Sequence, residues 1–63
     1  MCDYSLILLK KQGFKEKIME SVDLITKNGK TYIAQNIFGE KKEITGHFVC
    51  FDGSKNEIVF QEE

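Results

Sequence analysis

The sequence predicts an all-β fold, a small closed sheet of six or seven short strands. Its apolar residues come in short runs, and residues typical of tight turns separate these runs. Nowhere do apolar residues recur at helical spacing over three turns, so no helix is expected. Closure of the sheet is favoured, because it removes the unpaired strand edges that promote aggregation.

Length and composition indicate one small domain, residues 1–63. A chain of this size buries only about 60% of the surface that its unfolded form exposes, so a disulfide, a metal or a partner chain usually reinforces it. Two cysteines make no disulfide framework, no signal peptide is recognisable, and the apolar run 6–9 is too short to span a bilayer. We therefore expect a cytoplasmic protein with reduced thiols, no membrane contact and a tendency to self-associate.

The first half of the chain contains four predicted strands. Residues Tyr4–Lys10 form an apolar run with poor alternation, which is typical of a strand covered on both faces. After a break, Phe14–Glu20 continues as a more polar strand. Val22–Thr26 and Thr31–Ile37 flank Asn28-Gly29, which predicts a hairpin with a type I′ turn, because both central positions of that turn need positive φ.

The second half contains the remaining strands, separated by turns and one bend. Gly46 marks the bend or bulge, since it stands between a polar strand and an apolar one. The turns are residues 38–40 and 52–55, and each contains a glycine. The strands are Lys41–Thr45, His47–Phe51 and Glu57–Gln61. A small SH3-like barrel fits this set of elements.

The charges give no indication of a nucleic-acid partner. All nine cationic residues are lysines, and ten acidic residues balance them to a net charge of −1. Arginine, the preferred residue for recognising phosphates and base edges, is absent from the sequence. Because the lysines alternate with glutamates instead of forming a basic stripe, we interpret them as a solvated surface.

No group of residues in the sequence predicts an enzyme. Acid–base and nucleophilic catalysis need paired side chains, one oriented by another. The chain has a single histidine, His47, and none of its three serines lies in a nucleophile motif. The glycines fit turns and form no phosphate-binding loop. We therefore expect a protein without catalytic activity.

The most informative residue is Cys2, which follows the initiator methionine. If Met1 is removed, the amine and thiolate of Cys2 close one chelate ring on a metal ion. If Met1 stays, its amine, the Cys2 amide nitrogen and the thiolate form two fused rings. Such nitrogen and sulfur ligands suit Ni(II) and Cu(II). The alternative is an incidental cysteine at a terminus without function.

The other candidate residues have more ordinary interpretations. Cys50 lies in an apolar run, where cysteine is more commonly a buried small hydrophobe than a ligand, and its distance from Cys2 matches no zinc motif. His47 is expected on the surface, with metal ligation as a minority option. Phe38 and Tyr32 admit a role as base-stacking residues, but packing in the core or a dimer interface is favoured, because so small a barrel needs nearly all its aromatic residues for stability.

The order of motifs resembles that of a known family. Met1-Cys2 precedes an apolar strand, and the segments 22–25, 36–40 and 57–60 follow at family-like positions, with a strand that begins at Gly46 before the last of them. This pattern is similar to the CooT family of small nickel-binding proteins, named for an accessory factor of carbon monoxide dehydrogenase. The resemblance implies an SH3-like homodimer that binds nickel through the cysteine after the initiator methionine, here Cys2. Asp3 stands where an apolar residue is common.

The resulting expectation is a nickel-binding accessory protein, a chaperone or buffer, that holds Ni(II) through Cys2 at a homodimer interface. A nickel enzyme such as carbon monoxide dehydrogenase is its possible client. The alternative is a small β-barrel module that binds RNA or protein and carries an incidental Cys2.

Overall fold

The computed structural model describes residues 3–63, in which all regular secondary structure is β-strand. The part of the chain described has no helix long and apolar enough to cross a membrane. The all-β prediction is therefore confirmed, with six strands. They are β1 Ser5–Leu9, β2 Lys15–Met19, β3 Val22–Asn28, β4 Thr31–Asn36, β5 Lys41–Asp52 and β6 Glu57–Glu62.

The strands form one sheet in the order β2-β1-β6-β5-β4-β3. Neighbours are antiparallel except β1 and β6, which run parallel. Within residues 3–63 the outermost strands β2 and β3 do not pair with each other, so the sheet curls like an SH3 barrel without closing. Ser21 connects these two strands, and the backbone N–H of Val22 donates to the Tyr4 carbonyl at 3.0 Å.

A single bent strand, β5, replaces the two strands predicted for residues 41–52. Its first half pairs with β4, and its second half, from Gly46 onward, pairs with β6. At the bend the backbone of Gly46 lies against Gln61, where an added Cβ would overlap the carbonyl oxygen. Glycine therefore permits the close approach that lets one strand serve both partners. The register shifts at Val49, so the bulge lies beyond the predicted position.

The hairpin between β3 and β4 is confirmed, but the type I′ turn is wrong. Asn28 pairs with Thr31 as the last residue of β3, so the central turn positions are Gly29 and Lys30. Gly29 has φ of 65°, whereas Lys30 is absent from the positive-φ residues of the described chain. Positive φ at the first position alone corresponds to a type II′ turn, which favours glycine there.

The core lies inside the curl of the sheet and is small. Phe60 and Leu6 are both 1% exposed, and Tyr32 packs edge-on against Phe60 with ring centroids 4.9 Å apart. Residues from all six strands contribute, which ties both ends of the sheet to one apolar cluster. The buried members are Leu6, Met19, Val22, Ala34, Ile44 and Phe60.

The structure bears on two expectations about apolar residues. The first strand was expected to be covered on both faces, and β1 lies between β2 and β6 with Leu6 and Ile7 both buried. The aromatic residues were expected in the core or in a dimer interface, and the core of the described chain covers only some of them. Four of the five phenylalanines are at least half exposed, at 53% for Phe14, 73% for Phe38, 53% for Phe48 and 58% for Phe51.

Candidate functional site at the free edge of β5

The predicted ligand Cys2 lies outside the described residues, so the site is built from the residues that follow it. Asp3 is exposed, and Tyr4 is half-buried. The Tyr4 ring stacks on Phe51 with centroids 4.8 Å apart and an angle of 24° between the planes. Because the Tyr4 carbonyl also accepts the Val22 hydrogen bond, the chain is held in place from Tyr4 onward.

The strand under Tyr4 has an unpaired edge. Pairing between β4 and β5 ends at Thr45, where the β3–β4 hairpin ends. From Gly46 to Asp52, β5 pairs with β6 on one side, and no strand of the described chain pairs with its other side. We call this segment, Gly46–Asp52, the free edge.

The free edge is apolar on both faces and exposed on both. Phe48, Val49 and Phe51 are 53%, 47% and 58% exposed, and Cys50 between them is also exposed. Cys50 is therefore not the buried small hydrophobe that is the more common case in apolar runs. The segment His47–Phe51 contains no aspartate, glutamate, lysine or proline. Charged residues and proline usually prevent an edge strand from pairing with another chain.

An apolar depression of about 370 Å³ continues the surface beside the free edge. Phe51 belongs to both features, and Leu24, which is 50% exposed, also lines the depression. The depression therefore lies next to the point where the chain leads back from Tyr4 to Cys2. Its lining residues are Tyr4, Val22, Asp23, Leu24, Ile25, Phe51 and Ile58.

His47, for which metal ligation was the minority prediction, is exposed at the other end of the free edge. It lines a separate depression together with Lys27, Lys30 and Glu63. Two lysines beside an imidazole disfavour a bound cation. Within residues 3–63 no three histidine, cysteine or carboxylate side chains come together as a metal site. The prediction of Cys2 as the metal ligand falls outside these residues and stays a prediction.

Two hydrogen-bonded carboxylates stabilise the ends of β6 and the free edge. Asp52 accepts the Ser54 hydroxyl at 2.6 Å and also backbone N–H groups of the turn, which lowers its pKa. Glu62 accepts the backbone N–H of Lys11 at 2.8 Å and pairs with Lys10 at 3.0 Å, and both contacts lower its pKa. These carboxylates are engaged in turns and are therefore structural.

The free edge was missed in the sequence although a signal for it was present. The run Phe48–Phe51 is as continuously apolar as the middle of Tyr4–Lys10, the segment that was interpreted as the strand covered on both faces. Sequence alone does not say which of two such strands lies centrally in a sheet. The structure places β1 in the interior and leaves half of β5 at an edge.

Comparison with known proteins identifies the family. A family model described as CO dehydrogenase accessory protein CooT matches residues 1–61. An uncharacterised protein of Methanocaldococcus jannaschii is 37% identical over 46 residues, which are 73% of this chain and 81% of that protein. A crystallised protein from Carboxydothermus hydrogenoformans, assigned to CooT, has a TM-score of 0.85 over 98% of both chains and, at 22% identity, shows a shared fold. This chain therefore belongs to the CooT family of CO dehydrogenase accessory proteins and is itself an accessory protein, not an enzyme.

Proposed function

We propose that this protein binds Ni(II) through Cys2 and supplies or buffers the ion for CO dehydrogenase or another nickel enzyme in the cytoplasm. The observation that carries the proposal is the thiol at position 2 of a chain whose family match begins at residue 1. Nickel is the cargo that an accessory protein of a nickel enzyme has reason to hold. The described residues offer no competing cluster of ligands.

The chemistry of the amino terminus suits this ion. A terminal amine or amide nitrogen next to a thiolate provides strong-field nitrogen and soft sulfur, a set that favours square-planar Ni(II). One such terminus supplies too few donors for a complete site if Met1 is removed. Two termini complete four-coordination, so we propose that two copies share one ion at a two-fold axis.

The free edge is the proposed contact between the two copies. Around a two-fold axis, the edge of one copy pairs antiparallel with the same edge of the other, so each unpaired backbone group meets a complementary one. The exposed rings of Phe48 and Phe51 then become buried. The absence of carboxylates and lysines from His47 to Phe51 supports this arrangement, because no such charges oppose each other in the middle of the edge.

This contact is compatible with a shared nickel site. With the axis near Val49, the two Phe51 residues stand about four strand positions apart, roughly 13 Å along the strands. Tyr4 stacks directly on Phe51 in each copy. The two residues from Tyr4 back to Cys2 span up to roughly 7 Å in each chain. Two such arms are long enough to bring both thiolates to one ion between them.

Nickel titration with substitution of each cysteine tests the site. We expect thiolate-to-metal charge-transfer absorption that saturates at one Ni(II) per two chains. Cys2→Ser is expected to abolish it, and Cys50→Ser, the matched control, to leave it largely intact. Equal loss in both variants by calorimetry would indicate a two-cysteine site and contradict the amino-terminal one.

Cross-linking at Cys50 tests the contact separately. In a Cys2→Ser background Cys50 is the sole thiol, because the chain has two cysteines. A short bismaleimide is expected to give a covalent dimer at concentrations where sedimentation shows association, and Cys2→Ser/Cys50→Ser is the control. Association without cross-linking would place the interface elsewhere while leaving the nickel proposal standing.

A further inference from the structure

The turn between β4 and β5 displays the most exposed large apolar side chain of the described chain. Phe38 is 73% exposed and its neighbour Ile37 is 51% exposed. A single exposed phenylalanine is ordinary on a protein surface and indicates nothing alone. Phe38 differs from such a residue because hydrogen bonds fix the turn on which it lies.

Asn36 holds the turn rigidly and is the one buried polar residue among residues 3–63, at 4% exposure. Its Oδ1 accepts the backbone N–H groups of Phe38 at 3.1 Å and Glu40 at 2.9 Å. Its Nδ2 donates to the Glu40 carboxylate at 2.6 Å. Gly39 adopts φ of 83°, which closes the turn. Because the backbone of Phe38 is fixed by this network, little backbone entropy remains to be lost when its ring binds another molecule.

An open groove of about 580 Å³ lies beside the Phe38 ring. The end of β2 contributes Ile18 and Met19, and β2 is the outermost strand of the sheet. Apolar side chains thus line part of the groove next to an exposed aromatic ring. An extended peptide fits such a position, because the outer edge of β2 has backbone groups available for pairing.

The charges around the groove favour an acidic occupant. Its two carboxylates are engaged, Glu20 with Lys17 at 2.9 Å and Glu40 with Asn36. Lys41 and Lys42 form no ion pair within the described part of the chain. The Asn36 amide is neutral, so Glu40 keeps its negative charge, and the three lysines that line the groove against its two glutamates give it a net charge of +1. The groove is therefore net positive, although the whole chain has a net charge of −1.

We infer that this groove, bounded by Phe38, Lys41 and Lys42, binds an acidic segment of a partner protein. An apolar side chain of that segment packs against Phe38, and flanking carboxylates meet the two lysines. A protein segment is favoured over nucleic acid, because phosphate recognition prefers arginine and the chain has none. The groove shares no lining residue with the depression next to the free edge, so the inference is independent of nickel binding and dimerisation.

Fluorescence polarisation with a defined probe tests the inference. The probe is a short fluorescein-labelled peptide of glutamates around one central leucine, measured with the full-length protein. We expect saturable binding that weakens about tenfold in Phe38→Ala and about tenfold in Lys41→Glu/Lys42→Glu, equivalent to about 1.4 kcal/mol each. Phe14→Ala and Lys30→Glu are the matched controls, since both alter exposed residues that do not line the groove.

Three outcomes would overturn the inference. They are absence of binding with Kd up to about 1 mM, equal weakening in the control variants, and tighter binding of a labelled oligothymidylate than of the peptide. A peptide with serine in place of leucine is expected to bind more weakly, as contact with Phe38 requires. Folding of each variant is checked by urea unfolding, and Lys41→Gln/Lys42→Gln supplies a milder change if the glutamates prevent folding.

Discussion

Replacing Phe51 with alanine is expected to weaken the proposed dimer by roughly a thousandfold. Phe51 is 58% exposed in the single chain and lies on the free edge. A phenylalanine side chain buries about 150–250 Å² in full, so a second copy that covers the exposed fraction removes about 100 Å² from water. At about 25 cal/mol per Å², this burial contributes about 2.5 kcal/mol in each copy.

The substitution removes two Phe51 rings from the interface, because the two-fold axis gives each copy one such ring. The loss of buried area is therefore doubled. The loss is about 5 kcal/mol for complete coverage and about 4 kcal/mol if the alanine methyl retains part of the contact. A tenfold change in Kd corresponds to about 1.4 kcal/mol, so 4 kcal/mol gives about three orders of magnitude. Differences in buried area between variants are more dependable than a sum over the whole interface.

Sedimentation equilibrium over a concentration series measures this change in the dimer dissociation constant. Phe14→Ala is the matched control, since Phe14 is 53% exposed and precedes β2, away from the free edge. Phe51 also stacks on Tyr4, so urea unfolding of the monomer must accompany the measurement. An unchanged dissociation constant in Phe51→Ala, or the same shift in Phe14→Ala, would refute the assignment of the interface to the free edge.

Three further outcomes are expected. An extension before Met1 should weaken nickel binding measured by calorimetry if the free amine is a ligand, and unchanged affinity would leave the thiolate and amide as the donors. Asn36→Ala should lower the free energy of urea unfolding by at least about 2 kcal/mol, because two backbone N–H groups lose their acceptor, and an unchanged free energy of unfolding would contradict the role of Asn36 in the turn. The lowered pKa values of Asp52 and Glu62 contribute stability at pH above the unfolded pKa values of 3.8 and 4.5, and this contribution is lost as the pH falls through the folded pKa values. The free energy of urea unfolding of Asp52→Asn/Glu62→Gln should therefore depend less on pH across this range than that of the unsubstituted protein. An unchanged pH dependence would contradict the assignment.

Turn residues predicted much of the fold because their backbone requirements are local. The breaks at Asn28-Gly29, residues 38–40 and residues 52–55 all separate strands in the structure. The division of residues 41–51 into two strands was wrong at Gly46, where the sequence indicates an interruption but the hydrogen bonding continues with a change of partner. The sequence does not show whether a glycine ends a strand or permits the close approach of a neighbouring backbone. At Gly46 the two roles are distinguished only by the structure, in which the backbone of Gln61 lies against the glycine.

The candidate site was harder to predict than the fold, because exposure depends on tertiary neighbours. Cys2 was identified from its position alone, and its proposed role remains a prediction. Burial is the more common state of a cysteine in an apolar run such as Phe48–Phe51, but it requires cover on both faces of the strand, and the sequence does not show whether that cover exists. The buried Asn36 escaped notice altogether, although an asparagine three residues before a glycine in a turn is a typical acceptor for backbone N–H groups.

The proposal of a second copy rests on the two continuously apolar strands and not on small size alone. Both β1 and the second half of β5 are apolar on both faces, and such strands need cover on both. The chain supplies that cover for β1, which lies between β2 and β6, and Leu6 and Ile7 are buried accordingly. The free edge has one neighbouring strand only, and its apolar side chains remain about half exposed. The exposed apolar side chains of the free edge and the short chain distance from Tyr4 to Cys2 both favour the proposed two-fold contact. In that proposal the contact buries the edge and brings two thiolates to one nickel ion.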